Sequence, residues 1–200
     1  MKVNKRISKL LLFALVLFSF STVSAAIIPI DLNDFYADPS VDVALDGSWA
    51  TMYEDSFLGY DVIYLSNDPG MGDPGIEVPA DLLSLNFDYN YSEGTGNSDM
   101  FYAWVFDPDT YTVIDELWIE DSDSGTISWD LSGIDPGITL LGLEFQLNSW
   151  DALYESCVEI SNVHVETSPA PVPEPCTMIL LCSALAGMLG IRMRKSFKAS

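Results

Sequence analysis

The sequence predicts an all-β protein: a two-sheet β-sandwich of jelly-roll type, flanked by an N-terminal signal peptide and a C-terminal single transmembrane helix. Three observations carry this. Many short runs of aromatic and β-branched residues alternate apolar with polar. Pro-Gly turn signals separate them. The basic residues are confined to the two ends, beside the only long apolar stretches.

Residues 1–26 read as a secretory signal peptide. Lys2, Lys5, Arg6 and Lys9 lead an apolar run from Leu10 to Phe20, and Val23-Ser24-Ala25 or Ser24-Ala25-Ala26 forms a small-residue cleavage box. The run is about half the roughly 20 residues a spanning helix needs.

Residues 27–167 form the acidic β-sandwich ectodomain. Strands are expected at Ser48 to Glu54, Tyr60 to Leu65, Leu82 to Tyr91, Met100 to Phe106, Thr112 to Ile119, Thr126 to Leu131, Ile138 to Leu147 and Cys157 to Val165. Leu83, Leu85, Phe87 and Tyr89 would share one face. Leu141, Leu143, Phe145 and Leu147 would share another, with Glu144 and Gln146 opposite. Asp68-Pro69-Gly70, Asp73-Pro74-Gly75 and Asp135-Pro136-Gly137 fit type II turns, and Ser122 to Gly125 fits a hairpin connection.

Residues 168–175 are a stiff Pro-rich linker, with Pro169, Pro171, Pro173 and Pro175. Residues 176–191 are an apolar stretch with no polar face, read as a transmembrane helix. At ~1.5 Å per residue it is about 24 Å long, short for a ~30 Å core but within reach of thinning and snorkelling. Residues 192–200 are a basic cytoplasmic tail carrying Arg192, Arg194, Lys195 and Lys198.

Between the ends the chain has all thirty of its carboxylates and no Lys or Arg, a formal charge of −30 with His164 neutral. No Lys or Arg salt bridge can form there. Nucleic acid is excluded as a partner, because binding it needs cationic side chains to replace counterions. Cys157 stands alone in the domain, so no internal disulfide forms; it reads as a small buried residue in a late strand. His164, the sole histidine, lies between Val163 and Val165 and is expected to face solvent on the opposite side of its strand. No nucleophile–base motif, P-loop or dinucleotide fingerprint is present.

Trp49, Trp104, Trp118, Trp129 and Trp150 are the residues of a potential sugar-stacking platform. The row Tyr102, Trp104 and Phe106 is instead read as core, because aromatic residues dominate sandwich cores. Asp121-Ser122-Asp123-Ser124-Gly125 opens like a calcium loop but lacks the later ligands of an EF-hand, and reads as a solvated turn.

Val172-Pro173-Glu174-Pro175, Thr177, the apolar helix and the basic tail, in that order at the extreme end, resemble the PEP-CTERM sorting signal of Gram-negative bacteria. One departure is Cys176, where Ser or Ala is more usual. The resemblance implies a transient inner-membrane anchor, a membrane processing enzyme of the exosortase type as partner, and delivery to the cell surface or extracellular matrix. The ectodomain also resembles uncharacterised ectodomains found ahead of such tags, through Asp46-Gly47-Ser48-Trp49-Ala50-Thr51-Met52-Tyr53-Glu54-Asp55, Ser66-Asn67-Asp68-Pro69 and Leu141-Gly142-Leu143-Glu144-Phe145-Gln146-Leu147. Val158-Glu159-Ile160-Ser161-Asn162-Val163 is similar to the last strand of carbohydrate-binding jelly rolls, where Asp commonly stands at the position of Asn162. Such folds often carry one structural calcium. Glu54, Asp55, Asp68 and Asp151 are the candidate ligands, against the competing reading of each as a solvated surface acid.

The expected function is that of an exported surface or matrix protein whose ectodomain is a structural or binding module associated with extracellular polysaccharide, not an enzyme. The alternative is a secreted glycan hydrolase using paired carboxylates.

Overall fold

The computed structural model describes residues 25–54, 61–94, 99–150 and 156–168. The signal peptide as far as residue 24, the linker from residue 169, the sorting motif, the apolar helix and the basic tail lie outside the described residues, as do Asp55 and Asp151. Ala25–Ser168 is one compact unit.

Twelve strands are formed among the described residues: β1 (Ala26–Pro29), β2 (Tyr36–Ala37), β3 (Val41–Val43), β4 (Trp49–Tyr53), β5 (Asp61–Asn67), β6 (Ile76–Glu77), β7 (Leu82–Ser92), β8 (Met100–Asp107), β9 (Thr112–Ile119), β10 (Asp123–Asp130), β11 (Leu140–Ser149) and β12 (Cys157–Thr167). They make two antiparallel sheets. The first runs β10-β7-β12-β4-β3, with β1 also on β12. The second runs β2-β5-β11-β8-β9, with β6 also on β11. The eight strands expected from alternation are all present, within three residues at each end.

Alternation builds the core. Leu85, Phe87, Tyr89 and Tyr91 of β7 face inward from the first sheet, and Leu141, Leu143, Phe145 and Leu147 of β11 from the second, all buried. The Phe145 ring stacks on Phe35 and Phe101 at 6.4 Å each and meets Phe87 edge-on at 5.2 Å. Fully burying each such side chain contributes about 1.5–3 kcal/mol. Gly142 of β11 is needed for close approach: a Cβ there would lie 2.2 Å from the Phe106 ring.

Three local expectations are corrected. Only Gly75, at φ 73°, has the left-handed backbone of a type II turn; Gly70 and Gly137 do not. In those two turns the preceding Asp accepts the glycine N–H, from Gly70 at 2.7 Å and Gly137 at 2.8 Å, and this Asx closure suits a type I turn. Ser122 to Gly125 is no hairpin: β9 pairs with β8 and β10 with β7, so the chain crosses between sheets there.

His164 points outward from β12 as expected but is buried, at 9% exposure. A bulge after Ser161, with Asn162 at φ 54°, shifts the strand's phase by one residue. Without it Val163 and Val165 would face out. His164 Nδ1 lies 2.6 Å from the Asn162 carbonyl and Nε2 3.8 Å from Glu166. Cys157 is half-buried rather than buried, and burial raises its thiol pKa.

Candidate functional site

The outer face of the second sheet carries the concentrated chemistry. Residues directly opposite on neighbouring strands share a face. The register sets Tyr36 of β2 against Ser66 of β5, Ser66 against Glu144 of β11, Glu144 against Trp104 of β8, and Trp104 against Glu116 of β9. A second row runs Tyr64, Gln146, Tyr102, Trp118. Asn148 begins a third, beside Met100. With strands ~4.8 Å apart, five strands span roughly 19 Å.

Three rings form a continuous patch. Tyr102 lies 4.4 Å from Trp104 and 4.2 Å from Trp118, centroid to centroid. Trp118 is 54% exposed, so its ring offers a face to solvent. Tyr102 donates its hydroxyl to Glu116 at 2.5 Å, which fixes the ring. Burial, the Glu116 hydrogen bond and nearby carboxylates raise the pKa of this phenol.

The expectation that Tyr102, Trp104 and Phe106 form a core row is therefore corrected. Phe101, Ala103 and Val105 are the core face of β8, while Tyr102 and Trp104 point out, half-buried. Phe106 alone is buried: it shares their outer face by pairing with Gly142, and the Tyr111 ring stacks over it at 5.8 Å. Of the other tryptophans, Trp129 is core, edge-on to Phe87 at 5.1 Å. Trp49 is 43% exposed on the first sheet, and Trp150 is exposed at the end of β11.

Beside the ring patch, towards β2, is a cleft of about 400 Å³ lined by Tyr36, Tyr64, Ser66, Met71, Asp73 and Glu144. The segment after β5 builds its wall. Asn67 accepts the Gly75 N–H at 2.6 Å, Asp73 accepts the Asp68 N–H at 3.1 Å, and Tyr111 donates to Asp68 at 3.3 Å. Glu144 forms the floor, accepting from Ser66 Oγ at 2.9 Å and Gln146 Nε2 at 2.6 Å. Burial pushes its carboxyl above the usual glutamate range; the two hydrogen bonds pull it back, and Asp68 adds to the rise.

Of the candidate calcium ligands, the two among the described residues, Glu54 and Asp68, do not converge. Glu54 follows β4 and accepts from Ser149 Oγ at 2.5 Å, at the end of β11 where Ser149 pairs with Asp61. Asp68 follows Asn67, six residues along β5, roughly 20 Å away at strand rise. Asp68 is buried and serves its turn. Glu54 has an acidic neighbour that sequence alone did not single out: Ser156 donates its N–H to Glu54 at 3.4 Å and its hydroxyl to buried Asp99 at 2.6 Å. The adjacent Tyr91 hydroxyl is buried and makes no hydrogen bond among the described residues. No group of three or more His, Cys, Asp or Glu is arranged to hold a metal among the described residues.

Sequence reasoning missed the site as an ensemble. The alternation of β11 had already placed Glu144 and Gln146 outward. What it lacked was the register that brings Tyr36, Ser66, Trp104 and Trp118 alongside them.

No curated protein matches the chain in sequence. Similar solved structures include TmCBM61 in complex with beta-1,4-galactotriose (12% identity, TM-score 0.45, covering 67% of this chain and 87% of that one). They also include the carbohydrate-binding module TmCBM27, described for mannan recognition (8% identity, TM-score 0.44, covering 72% and 97%), and CBM4 (10% identity, TM-score 0.36, covering 74% and 88%). At these identities and scores the likeness assigns no residue and no ligand to this chain. The family match falls instead on the C-terminal end, where Pro171 to Lys195 fit the PEP-CTERM protein-sorting motif. The chain is thus a two-sheet β-sandwich that carries a PEP-CTERM sorting motif, a signal that implies export and sorting by an exosortase.

Proposed function

We propose that the sandwich is a non-catalytic glycan-binding module, displayed on the surface or in the extracellular matrix of a Gram-negative bacterium, and that the outer face of the second sheet is its ligand site. The observation that carries this is the patch of Tyr102, Trp104 and Trp118 flanked by Glu116, Glu144 and Gln146 on one uncovered sheet face. Sugars present apolar C–H faces and a rim of hydroxyls. Aromatic rings take the first, and carboxylates and amides take the second. Release at the surface would set such a module beside extracellular polysaccharide. A glycan array probed with the full chain in detergent tests the proposal. Binding of one or more neutral or basic polysaccharides that is lost in Trp118→Ala is the expected result; an empty array, or binding unchanged by Trp118→Ala, would remove it.

A hydrolase reading has one observation in its favour: Asp73 and Glu144 line the same cleft, and Glu144 is raised in the direction a general acid needs. Turnover of any bound polysaccharide, abolished in Glu144→Gln, would replace the binding-module reading.

Calcium enters the proposal as a structural ion; two of its candidate ligands, Asp55 and Asp151, lie outside the described residues. An ion bound only by the folded form adds about 2.7 kcal/mol at a hundredfold excess over its Kd. That corresponds to a rise in Tm of roughly 5–10 °C for a domain of this size. Magnesium at matched ionic strength should give less, because it keeps its waters and an octahedral shell. Equal shifts from calcium, magnesium and sodium would leave the acids as a screened surface.

A further inference from the structure

We propose that the cleft between Tyr36, Tyr64, Asp73 and Glu144 is a subsite for a protonated amino sugar, so that the face prefers glycans carrying free amino groups. This deepens the glycan reading and rests on it.

The cleft combines the two features that hold an organic ammonium. Its walls are aromatic, with Tyr36 55% exposed at the rim and Tyr64 behind it. A cation within about 6 Å of such a ring face is attracted to it. Its floor and side are carboxylates, Glu144 and Asp73, with the Ser66 hydroxyl between strands. About 400 Å³ is within the range of small-ligand sites.

The charge state of Glu144 sharpens the case. Its donors among the described residues are neutral: a hydroxyl from Ser66 and an amide from Gln146. The domain has no Lys or Arg to pair with it. The carboxylate has therefore been desolvated by folding without gaining a cation among the described residues. An arriving ammonium forms an ion pair whose desolvation cost on the protein side has already been met, in a place where charges attract more strongly than in water. Asp73 accepts the Asp68 N–H with one of its oxygens.

A hard metal ion fits this site less well. Two carboxylates and a hydroxyl fall short of the six to eight oxygens calcium takes. An acidic sugar such as a uronate would be repelled by both carboxylates and by the net charge of the domain. A neutral sugar can stack and hydrogen-bond but leaves Glu144 unpaired.

The test uses the full chain in detergent, titrated calorimetrically with β-1,4-linked hexamers of glucosamine, N-acetylglucosamine and glucose at pH 6 and physiological salt. The glucosamine hexamer should bind at least about tenfold more tightly than the other two, a difference of about 1.4 kcal/mol. The paired variant Asp73→Asn/Glu144→Gln should bring it down to the affinity of the glucose hexamer. The variant Asp42→Asn/Glu159→Gln, which removes the same charge from the outer face of the first sheet, should keep the preference. Equal binding of all three hexamers by the parent protein overturns the amino-sugar subsite and leaves the glycan reading standing. Equal loss in both paired variants also overturns it, because the attraction would then belong to the net charge. Binding of no hexamer overturns it as well, and together with an empty array removes the glycan reading too.

Discussion

The two outer faces of the sandwich are made by the same strand alternation and carry opposite chemistry. On the first sheet β7, β10 and β12 turn out short polar side chains. Thr126 donates to Asp88 at 2.5 Å, Asn162 reaches Asp88 at 3.2 Å, and Asn86 donates to Ser84 at 3.0 Å. Its exposed aromatics, Trp49 and Tyr53, sit on β4 with Thr51 between them. On the second sheet Tyr102, Trp104 and Trp118 make one patch, and Glu144 lies half-buried beside a cleft. Both faces are acidic, so charge alone does not mark a site. Contiguous rings with carboxylates and amides at their edge do.

The core beneath both faces is shared, and the largest effect removes the contrast altogether. Phe145→Ala deletes a fully buried ring that touches Phe35, Phe87 and Phe101. A loss of about 3–5 kcal/mol is expected. Chemical denaturation of the full chain in detergent checks it. A loss below about 1 kcal/mol would mean the two sheets do not share this core.

Surface aromatics separate the faces. Trp118→Ala should weaken glycan binding by about thirtyfold, the equivalent of a hot-spot residue worth roughly 2 kcal/mol. Trp49→Ala should change it less than about twofold. Neither is expected to alter stability much, since both rings are about half exposed. Calorimetric titration of both variants measures the difference; equal losses would erase the distinction between the faces.

A smaller effect sharpens the same contrast. The carboxyl of Glu144 has its pKa raised in the folded protein by burial. The folded state therefore takes up a proton more readily than the unfolded one. Ionising Glu144 costs stability, a cost absent below its ordinary value near 4.5 and fully present above the raised value. Glu144→Gln should accordingly raise Tm by about 2 °C at pH 7, under ~1 kcal/mol, with no gain at pH 4. Asp130 is the opposite case on the first sheet: hydrogen bonds from Ser132 lower its pKa, so its contribution is present at neutral pH and lost in acid. Asp130→Asn should lower Tm at pH 7. If the Glu144 variant is also destabilised there, the carboxylate is a stabilising element and not a group held ready for a ligand.

The strands were legible because alternation is a local signal. Leu141, Leu143, Phe145 and Leu147 read as one face and are one face. The short strands β1, β2, β3 and β6 were not legible, because two to four residues carry too little pattern and exist only through pairing with longer neighbours. Asp68 and Asp135 favoured type I turns by accepting the glycine N–H, a competition that Pro-Gly spacing does not reveal. Trp104 shows the deeper limit. Half-buried outward aromatics and core aromatics share one periodicity, and only the neighbouring Phe101, Ala103 and Val105 decide which side is the core. Glu54 and Asp68 lie close in sequence, while the strand between them sets them at opposite ends.

Hydroxyl-radical footprinting of the full chain, with and without a glycan taken from the array, reads both faces in one molecule. Protection of Tyr102, Trp104 and Trp118 with Trp49 and Tyr53 unchanged is the expected result. Protection on the Trp49 face, or equal change on both, would contradict the assignment of the ligand site to the second sheet.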